Sequence, residues 1–265
     1  MNHELLVEDA LVDFGGVKAL NGVTLGFGGG QACGVIGPNG SGKSTLLAAV
    51  SRLTDLSSGS LSWLGNEYTD APRFVPARLG IARSFQTVRL VASATVLDNV
   101  MLGASIDAAK RGPVGNWLRL SRAAAEEREF RRRARAALER VGLEDYEGAY
   151  PGSLPYGLQR RVEIARALAA DPKILLLDEP VAGMIQEERA DVLGLLKQLR
   201  SEGLSLVLVE HDLSMVYELC DHVYVLNFGQ LIASGAPTEV ARSPEVRKAY
   251  IGDDGAPLAE QTEIA

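Results

Sequence analysis

Residues 37–45 have the order and composition of a loop that binds phosphate groups. They fit the pattern G-x-x-x-x-G-K-[ST], and they are Gly37, Pro38, Asn39, Gly40, Ser41, Gly42, Lys43, Ser44 and Thr45. The glycines let backbone N–H groups turn inward, Lys43 reaches the β- and γ-phosphates, and the Ser44 hydroxyl can ligate Mg²⁺. An apolar run at 32–36 and a helical pattern at 46–50 flank the loop, which predicts a strand, a loop and a helix in that order. A chance match in a glycine-rich chain is the alternative.

A second group of polar residues follows two apolar runs further along the chain. Asp178 and Glu179 come after the run 174–177, and His211 comes after the run 204–209. Continuous apolar runs suit buried parallel strands, and α/β sheets place ligand chemistry at the carboxyl ends of such strands. We expect Asp178 to anchor a metal, Glu179 to polarise an attacking water, and His211 to contact a γ-phosphate or that water. The alternatives are a polar turn and an ordinary polar histidine.

Composition limits the classes of protein to which the chain can belong. With 265 residues, of which 46% are hydrophobic and 23% charged, it has the make-up of one large globular domain. It has no run of about 18 apolar residues and no export signal at residues 1–4. Cys33 and Cys220 lack metal-ligand spacing, which predicts buried reduced thiols and a cytoplasmic location. The net charge of −7 argues against broad nucleic-acid binding.

The elements that must position these residues can be predicted from apolar spacing and turn residues. Residues 5–12 and 23–27 have strand character and are separated by Phe14-Gly15-Gly16, which predicts a small antiparallel sheet ahead of the loop. Residues 123–141 combine an apolar stripe at helical spacing with many arginines and glutamates. This pattern favours a charged surface helix over a nucleic-acid patch.

The order of these motifs, together with Gln86 and the segment 154–160, resembles the nucleotide-binding subunit of ABC transporters, over about residues 5–252. The resemblance implies an α/β fold with a P-loop NTPase (RecA-like) core, a mainly parallel sheet and an N-terminal antiparallel β-subdomain. It also implies an ATP-binding domain at 1–252, an inserted α-helical subdomain at about 88–165, and a flexible tail at 253–265.

The resemblance further implies roles for individual residues, with ATP and Mg²⁺ as cofactors. Phe14 would stack on the adenine, although an aromatic residue beside a turn can equally belong to the hairpin core. Gln86 would contribute to catalysis by linking Mg²⁺ to the transmembrane contact, with Ser44 and Asp178 as further metal ligands. His211 would be the switch histidine, and Tyr156 and Gly157 would belong to the signature segment.

The resemblance also implies partners. Such subunits work as head-to-tail dimers, with each ATP held between one chain's phosphate loop and the other chain's signature segment. The implied partners are two transmembrane permease subunits, a second ATPase subunit and, indirectly, a solute-binding protein, with no nucleic acid. The implied location is peripheral, on the cytoplasmic face of the inner (plasma) membrane.

Three segments resemble the larger ATPase of branched-chain amino-acid importers: residues 83–90, 156–166 and 249–252. This resemblance implies ATP hydrolysis that powers uptake of branched-chain amino acids or related small polar and amide solutes. The alternatives are a lipopolysaccharide-type ABC exporter, a regulatory module that hydrolyses weakly, and a soluble ABC protein that acts on nucleic acid.

Three residues depart from the family pattern. Pro155 replaces the usual signature serine and Leu158 the usual glutamine, while Ile185 stands where Asn or Asp is common. Pro155 removes both a hydroxyl and a backbone N–H, and each charge-assisted hydrogen bond to phosphate that is lost could weaken the closed dimer by about 1.5–3 kcal/mol. We therefore hypothesise a heterodimer with one efficient site, a homodimer being the alternative.

Overall fold

The computed structural model describes residues 3–84, 88–105, 119–211 and 213–251. The chain divides into two compact units. The first unit combines the N-terminal part of the chain, up to Arg73, with the part from Arg200 onward, and the second unit runs from Phe74 to Leu199. The predicted tail at 253–265 lies outside the described residues.

The described part of the chain contains both strands and helices. The strands are β1 (His3–Phe14), β2 (Val17–Gly28), β3 (Ala32–Ile36), β4 (Ser58–Trp63), β5 (Asn66–Glu67), β6 (Ile81–Arg83), β7 (Ile174–Asp178), β8 (Ser205–Val209), β9 (His222–Asn227) and β10 (Gln230–Gly235). The helices are α1 (Lys43–Val50), α2 (Val75–Leu79), α3 (Val96–Ala104), α4 (Arg119–Arg140), α5 (Tyr156–Leu168), α6 (Gln186–Ser201), α7 (Leu213–Leu219), α8 (Pro237–Val240) and α9 (Pro244–Ile251). Each of these helices is too short or too polar to cross a bilayer.

The first unit contains an antiparallel sheet and a set of parallel strands. The antiparallel sheet has the order β2-β1-β4-β5, with β1 and β2 joined by a tight turn, which confirms the small sheet predicted ahead of the loop. Strand β3 pairs in parallel with β8 on one side and with β9 on the other, and β9 returns as a hairpin to β10. Every residue of β3 and β8 is buried, as expected for central strands covered on both faces.

The second unit combines two parallel strands with packed helices. Strand β6 pairs in parallel with β7, so that Ile81 lies opposite Ile174. Helix α3 begins after Thr95, whose hydroxyl accepts a hydrogen bond from the Asp98 N–H and so satisfies one free donor of the first turn. Gly103 lets α3 approach α5 closely, because a Cβ atom there would lie 1.8 Å from the Arg166 carbonyl oxygen. Parallel strands with packed helices confirm the predicted α/β class, and the boundaries of about 88–165 for the helical subdomain stay a prediction.

Helix α4 carries the ion pairs expected of a charged surface helix. Glu129 accepts hydrogen bonds from Arg132 and Arg133, and Arg135 pairs with Glu147 beyond the helix. The bonds from the two arginines lower the pKa of Glu129 to about 2. The arginines are thus balanced by nearby carboxylates, which confirms the predicted surface helix.

Both cysteines are buried and free, which confirms the prediction of reduced thiols. Burial raises the pKa of Cys33 from 9.0 to about 11; a backbone hydrogen bond at Gly28 opposes this effect. Burial likewise raises the pKa of Cys220. The folded state therefore favours the protonated form of each thiol.

The raised pKa of Cys33 predicts a loss of stability at alkaline pH. Above about pH 9 the unfolded chain releases the Cys33 proton first, so stability is lost as the pH rises towards about 11. We expect the wild-type free energy of unfolding to fall by about 2 kcal/mol more than that of Cys33→Ala between about pH 8 and about pH 10.5. Urea unfolding at several pH values measures this difference. Below pH 8 the two proteins should respond to pH in parallel, and parallel behaviour throughout would contradict the prediction.

Candidate active site

The phosphate loop connects β3 to α1 in the first unit, as the sequence predicts. Lys43, the first residue of α1, is only 7% exposed, and its ammonium donates hydrogen bonds to the carbonyl oxygens of Gly37 at 2.7 Å and Pro38 at 2.9 Å. These bonds hold the ammonium against the loop. Helix α1 begins within the loop, because the Leu46 N–H donates to the Gly42 carbonyl at 2.8 Å. The start of a helix within such a loop is a favourable position for an anion.

Two glycines are required by the space around the loop. Gly37 has a φ of 151°, and a Cβ atom there would lie 2.1 Å from the Leu226 carbonyl oxygen and 2.6 Å from Ser41 Oγ. Gly42 has a φ of 104°, and its Cβ would lie 2.3 Å from the Ala19 carbonyl oxygen. Ser41 Oγ is itself buried without a hydrogen-bond partner in the described part of the chain. A tightly wound backbone, a buried ammonium and an unsatisfied hydroxyl together fit a phosphate ligand.

Backbone groups from distant strands hold the loop in place. The Gly229 N–H, in the turn between β9 and β10, donates to the Ser41 carbonyl at 3.0 Å, and the Gly229 carbonyl accepts from the Asn21 N–H at 2.8 Å. Tyr250, on α9, has a pKa raised to about 12 by burial, an effect that the backbone of Gly37 opposes. The sequence analysis missed Gly229 and Tyr250 as neighbours of the loop. For Gly229 the available signal was the segment Asn227-Phe228-Gly229-Gln230, whose composition is typical of a hairpin turn.

Phe14 and His211 are the other predicted site residues of the first unit. Phe14 ends β1 and is 58% exposed, so the alternative interpretation as a hairpin core residue is wrong. His211 follows β8 with a side chain that is 62% exposed, and its N–H donates to Glu210 Oε2 at 3.2 Å. Both side chains are accessible to a ligand. Gln86, the third predicted catalytic residue, lies outside the described residues.

In the second unit, Asp178 and Glu179 lie at the end of β7, as predicted. Asp178 is the last residue of the strand and is 2% exposed, and its Oδ2 accepts a hydrogen bond from Arg83 at 3.0 Å. Glu179 has a φ of 45°, which is unusual for a residue other than glycine. Arg160, which is completely buried on α5, donates to the carbonyl groups of this strand end. The sequence analysis missed Arg83 and Arg160.

The predicted signature segment forms the start of α5. Pro155 is the N-cap and provides no side-chain hydrogen bond, so a first-turn donor finds a partner elsewhere. The Gly157 N–H donates to Glu188 Oε1 at 3.0 Å, and Glu188 Oε2 accepts from the Ile185 N–H at 3.4 Å. A carboxylate of the same chain therefore occupies the N-terminus of this helix. Glu188 was also missed, because its sequence position shows only an acidic first turn of α6.

The comparisons with known proteins agree with this geometry. The family described as "ABC transporter" matches residues 20–182. The chain is similar to the high-affinity branched-chain amino acid transport ATP-binding protein BraF of Pseudomonas aeruginosa, with 37% identity over 254 residues, 94% of this chain and 98% of that protein. The chain belongs to the ABC transporter family.

Solved ABC cassettes share the fold, and a second family matches the C-terminal part. The ADP conformation of an ATP-binding cassette of an ABC transporter superposes with a TM-score of 0.81, at 30% identity, covering 96% of this chain and all of that one. A dimeric ATP-binding cassette bound to ADP and Pi superposes with a TM-score of 0.71, at 26% identity, covering 88% and 98%. The family "Branched-chain amino acid ATP-binding cassette transporter" matches residues 230–256 of this ABC protein.

The crowding at Gly37 predicts a specific loss in this ABC protein. We expect Gly37→Ala to lower the free energy of unfolding by about 2–4 kcal/mol, from left-handed strain and from the clash with Leu226. It should also weaken ADP binding at least about tenfold, because the loop must shift. Urea unfolding and calorimetric titration with ADP measure the two effects.

Gly65→Ala is the matched control for this prediction. Gly65 has a φ of 78°, but a Cβ atom there would meet nothing within 4 Å. This variant should lose only about 1 kcal/mol and bind ADP normally. Equal effects in the two variants would contradict the role of the clash at Gly37.

Proposed function

We propose that this chain is the ATP-hydrolysing subunit of an importer for branched-chain amino acids or related small polar and amide solutes. The observation that carries the proposal is the 37% identity to BraF, a branched-chain amino acid transport protein of which this chain covers 98%. The C-terminal match to a branched-chain amino acid family supports the same assignment. In this function the chain lies peripherally on the cytoplasmic face of the inner (plasma) membrane. It drives two permease subunits, which receive their solute from a solute-binding protein.

The loop and its surroundings are suited to ATP with Mg²⁺. Ser44, Gln86 and Asp178 would hold the metal, which when bound neutralises charge on the β- and γ-phosphates. A hydroxyl, an amide and a carboxylate are hard oxygen ligands of the kind Mg²⁺ takes together with water and phosphate oxygens. Within the described ranges, no group of three or more His, Cys, Asp or Glu residues is placed to hold a metal ion by itself.

The chain's own residues then divide the work of hydrolysis. Lys43 and the loop N–H groups bind the β- and γ-phosphates, and the exposed ring of Phe14 stacks on the adenine. Glu179 takes the proton of the attacking water as general base, and His211 donates a hydrogen bond to the γ-phosphate. Glu179 is partly accessible at its strand end, as a group that must reach water has to be.

We further propose a heterodimer with two unequal sites. In a head-to-tail dimer the start of α5 faces the partner's γ-phosphate, with Tyr156 and Gly157 at the contact. In this chain the Gly157 N–H already binds the carboxylate of Glu188, which would compete with and repel an incoming phosphate. Pro155 adds neither a hydroxyl nor an N–H. The site that uses this chain's Lys43 and Glu179 would therefore be efficient, and the reciprocal site slow.

Transport by the reconstituted assembly tests the proposed function. We expect ATP-dependent uptake of leucine into vesicles that contain this chain, its permeases and the second ATPase, with binding protein outside. Glu179→Gln should lower ATPase activity and uptake at least about a hundredfold, because the general base is lost, without weakening ATP binding. Glu187→Gln, an exposed position at the start of α6, is the control and should transport normally. ATPase activity that responds to lipopolysaccharide instead would indicate an exporter, and ATP binding without turnover a regulatory module.

The proposed asymmetry predicts unequal losses when each chain is altered in turn. We expect Glu179→Gln in this chain to remove most of the ATPase activity of the assembly, and the matching change in the partner subunit to remove little. Steady-state ATPase rates of the two assemblies measure the difference. Equal losses from both variants would contradict the asymmetry.

A change at Glu188 tests the structural reason for the asymmetry. Glu188→Gln removes the negative charge at the start of α5 and keeps an oxygen that can accept from Gly157. The slow site, isolated by Glu179→Gln in this chain, should then hydrolyse ATP several-fold faster, by about one order of magnitude at most. An unchanged rate would exclude Glu188 as the cause.

A further inference from the structure

Arg160 makes an unusual set of contacts in the middle of the second unit. Its side chain is completely buried on α5, and its guanidinium reaches three successive carbonyl oxygens at the end of β7. The distances are 3.1 Å from Nε to the Pro180 carbonyl, 2.9 Å from an Nη2 to the Asp178 carbonyl, and 3.1 Å from the same nitrogen to the Glu179 carbonyl. A single planar side chain therefore fixes the direction of three consecutive peptide groups.

The charge of Arg160 is balanced on its own helix. Glu163 is 1% exposed, and its Oε2 accepts from the other Arg160 nitrogen, Nη1, at 2.5 Å. Arg166 approaches the same carboxylate at 3.5 Å. Glu163 balances this charge along α5, and the Nε and Nη2 donors of the guanidinium serve the backbone of the strand end. A lysine, with a point charge and no planar fork, could not bond three carbonyls in this arrangement.

The backbone that Arg160 holds is in a conformation that needs support. Glu179 has a φ of 45°, in the left-handed region, where a residue with a Cβ atom persists only if its surroundings enforce it. The Glu179 carbonyl also accepts from the Ala182 N–H at 3.2 Å, which closes a turn behind it. Arg160 and this turn therefore both hold the backbone from which the Glu179 side chain extends.

The same helix carries the signature residues one turn earlier. Gly157 lies three positions before Arg160 on α5, so the two residues belong to about one turn of the same hydrogen-bonded helix. A displacement of the start of α5 would therefore reach the Glu179 backbone through the guanidinium.

We propose that Arg160 is the positioning residue that aims Glu179, and that it transmits the position of the signature end of α5 to this carboxylate. This inference rests on the proposed function, in which Glu179 is the general base. The contacts of Arg160 described above are with the strand-end carbonyls and with Glu163, so its effect on hydrolysis passes through the backbone of Glu179. In the dimer it would link the ATP bound across this chain's signature segment to the ATP that this chain hydrolyses.

Arg160→Lys tests the proposal in the reconstituted assembly. The loss of the planar fork lets the Glu179 backbone relax, and a misplacement of about 1 Å is enough to lower kcat about a hundredfold. The KM for ATP should stay within about twofold, because the phosphate loop is untouched. Arg166→Lys, on the same helix and against the same Glu163, is the matched control and should keep kcat within about twofold.

A double variant separates positioning from a general loss of structure. If Arg160 acts only through Glu179, then Arg160→Lys combined with Glu179→Gln should be no slower than Glu179→Gln alone. Multiplied losses, or an unchanged kcat in Arg160→Lys, would overturn the inference. The reference is the wild-type assembly, whose ATPase activity Glu179→Gln should abolish. A wild-type assembly without ATPase activity would instead overturn the proposed function.

A neutral variant keeps the test valid if Arg160→Lys fails to fold. Arg160→Gln together with Glu163→Gln removes the two fully buried charges and the fork to the three carbonyls. Arg166 loses its carboxylate partner but keeps some exposure, at 19%, and its hydrogen bond to the Arg89 carbonyl. Its kcat should fall about a hundredfold while circular dichroism and ADP affinity remain those of the wild type. A wild-type kcat in this variant would overturn the inference.

Discussion

The phosphate loop depends on close contacts between backbone atoms that come from distant parts of the first unit. Gly37 passes under the Leu226 carbonyl and Gly42 under the Ala19 carbonyl, with no room for a Cβ atom at either position. Gly229 then joins the loop to β2 through its N–H and its carbonyl. The loop can present its N–H groups to an anion because contacts with neighbouring strands hold its backbone in place. Strand β3, which leads into the loop, is itself held by parallel pairing with β8 and β9.

In the second unit, a side chain rather than backbone contacts holds the functional backbone segment: Arg160 binds the carbonyls at the end of β7. The end of β7 carries two successive carboxylates, Asp178 and Glu179, and Glu179 has a left-handed backbone conformation. Arg83 restrains the Asp178 carboxylate, and Arg160 restrains the carbonyls around it. Two arginines thus act on two carboxylates: Arg83 contacts the Asp178 carboxylate, and the buried Arg160 contacts the backbone that carries Glu179. Strain at such a position is typical of functional sites, where surrounding contacts enforce it.

The start of α5 connects these features to the partner chain of the proposed dimer. In that proposal its first-turn donors face the partner's nucleotide, and one of them, the Gly157 N–H, binds Glu188 in this chain. Glu188 also accepts from the backbone of Ile185, so this one carboxylate contacts both Gly157, two residues after Pro155, and Ile185. In the proposed dimer, a difference of two or three residues would therefore change the contact with the partner's nucleotide, while this chain's own phosphate loop keeps its motif.

The sequence by itself determined the phosphate loop, the two buried strands with polar ends, the N-terminal antiparallel sheet, the charged helix α4 and the membership of the ABC transporter family. These features depend on local spacing and on residue types that the motif requires, so neighbouring residues along the chain contain the information. Only the tertiary structure decided that Phe14 is exposed, that Gly229 and Tyr250 adjoin the loop, and that Arg160 and Glu188 serve the strand end and the helix start. Those contacts join residues that are distant in sequence, and an arginine or glutamate in a helical pattern looks the same whether it faces water or a buried carbonyl.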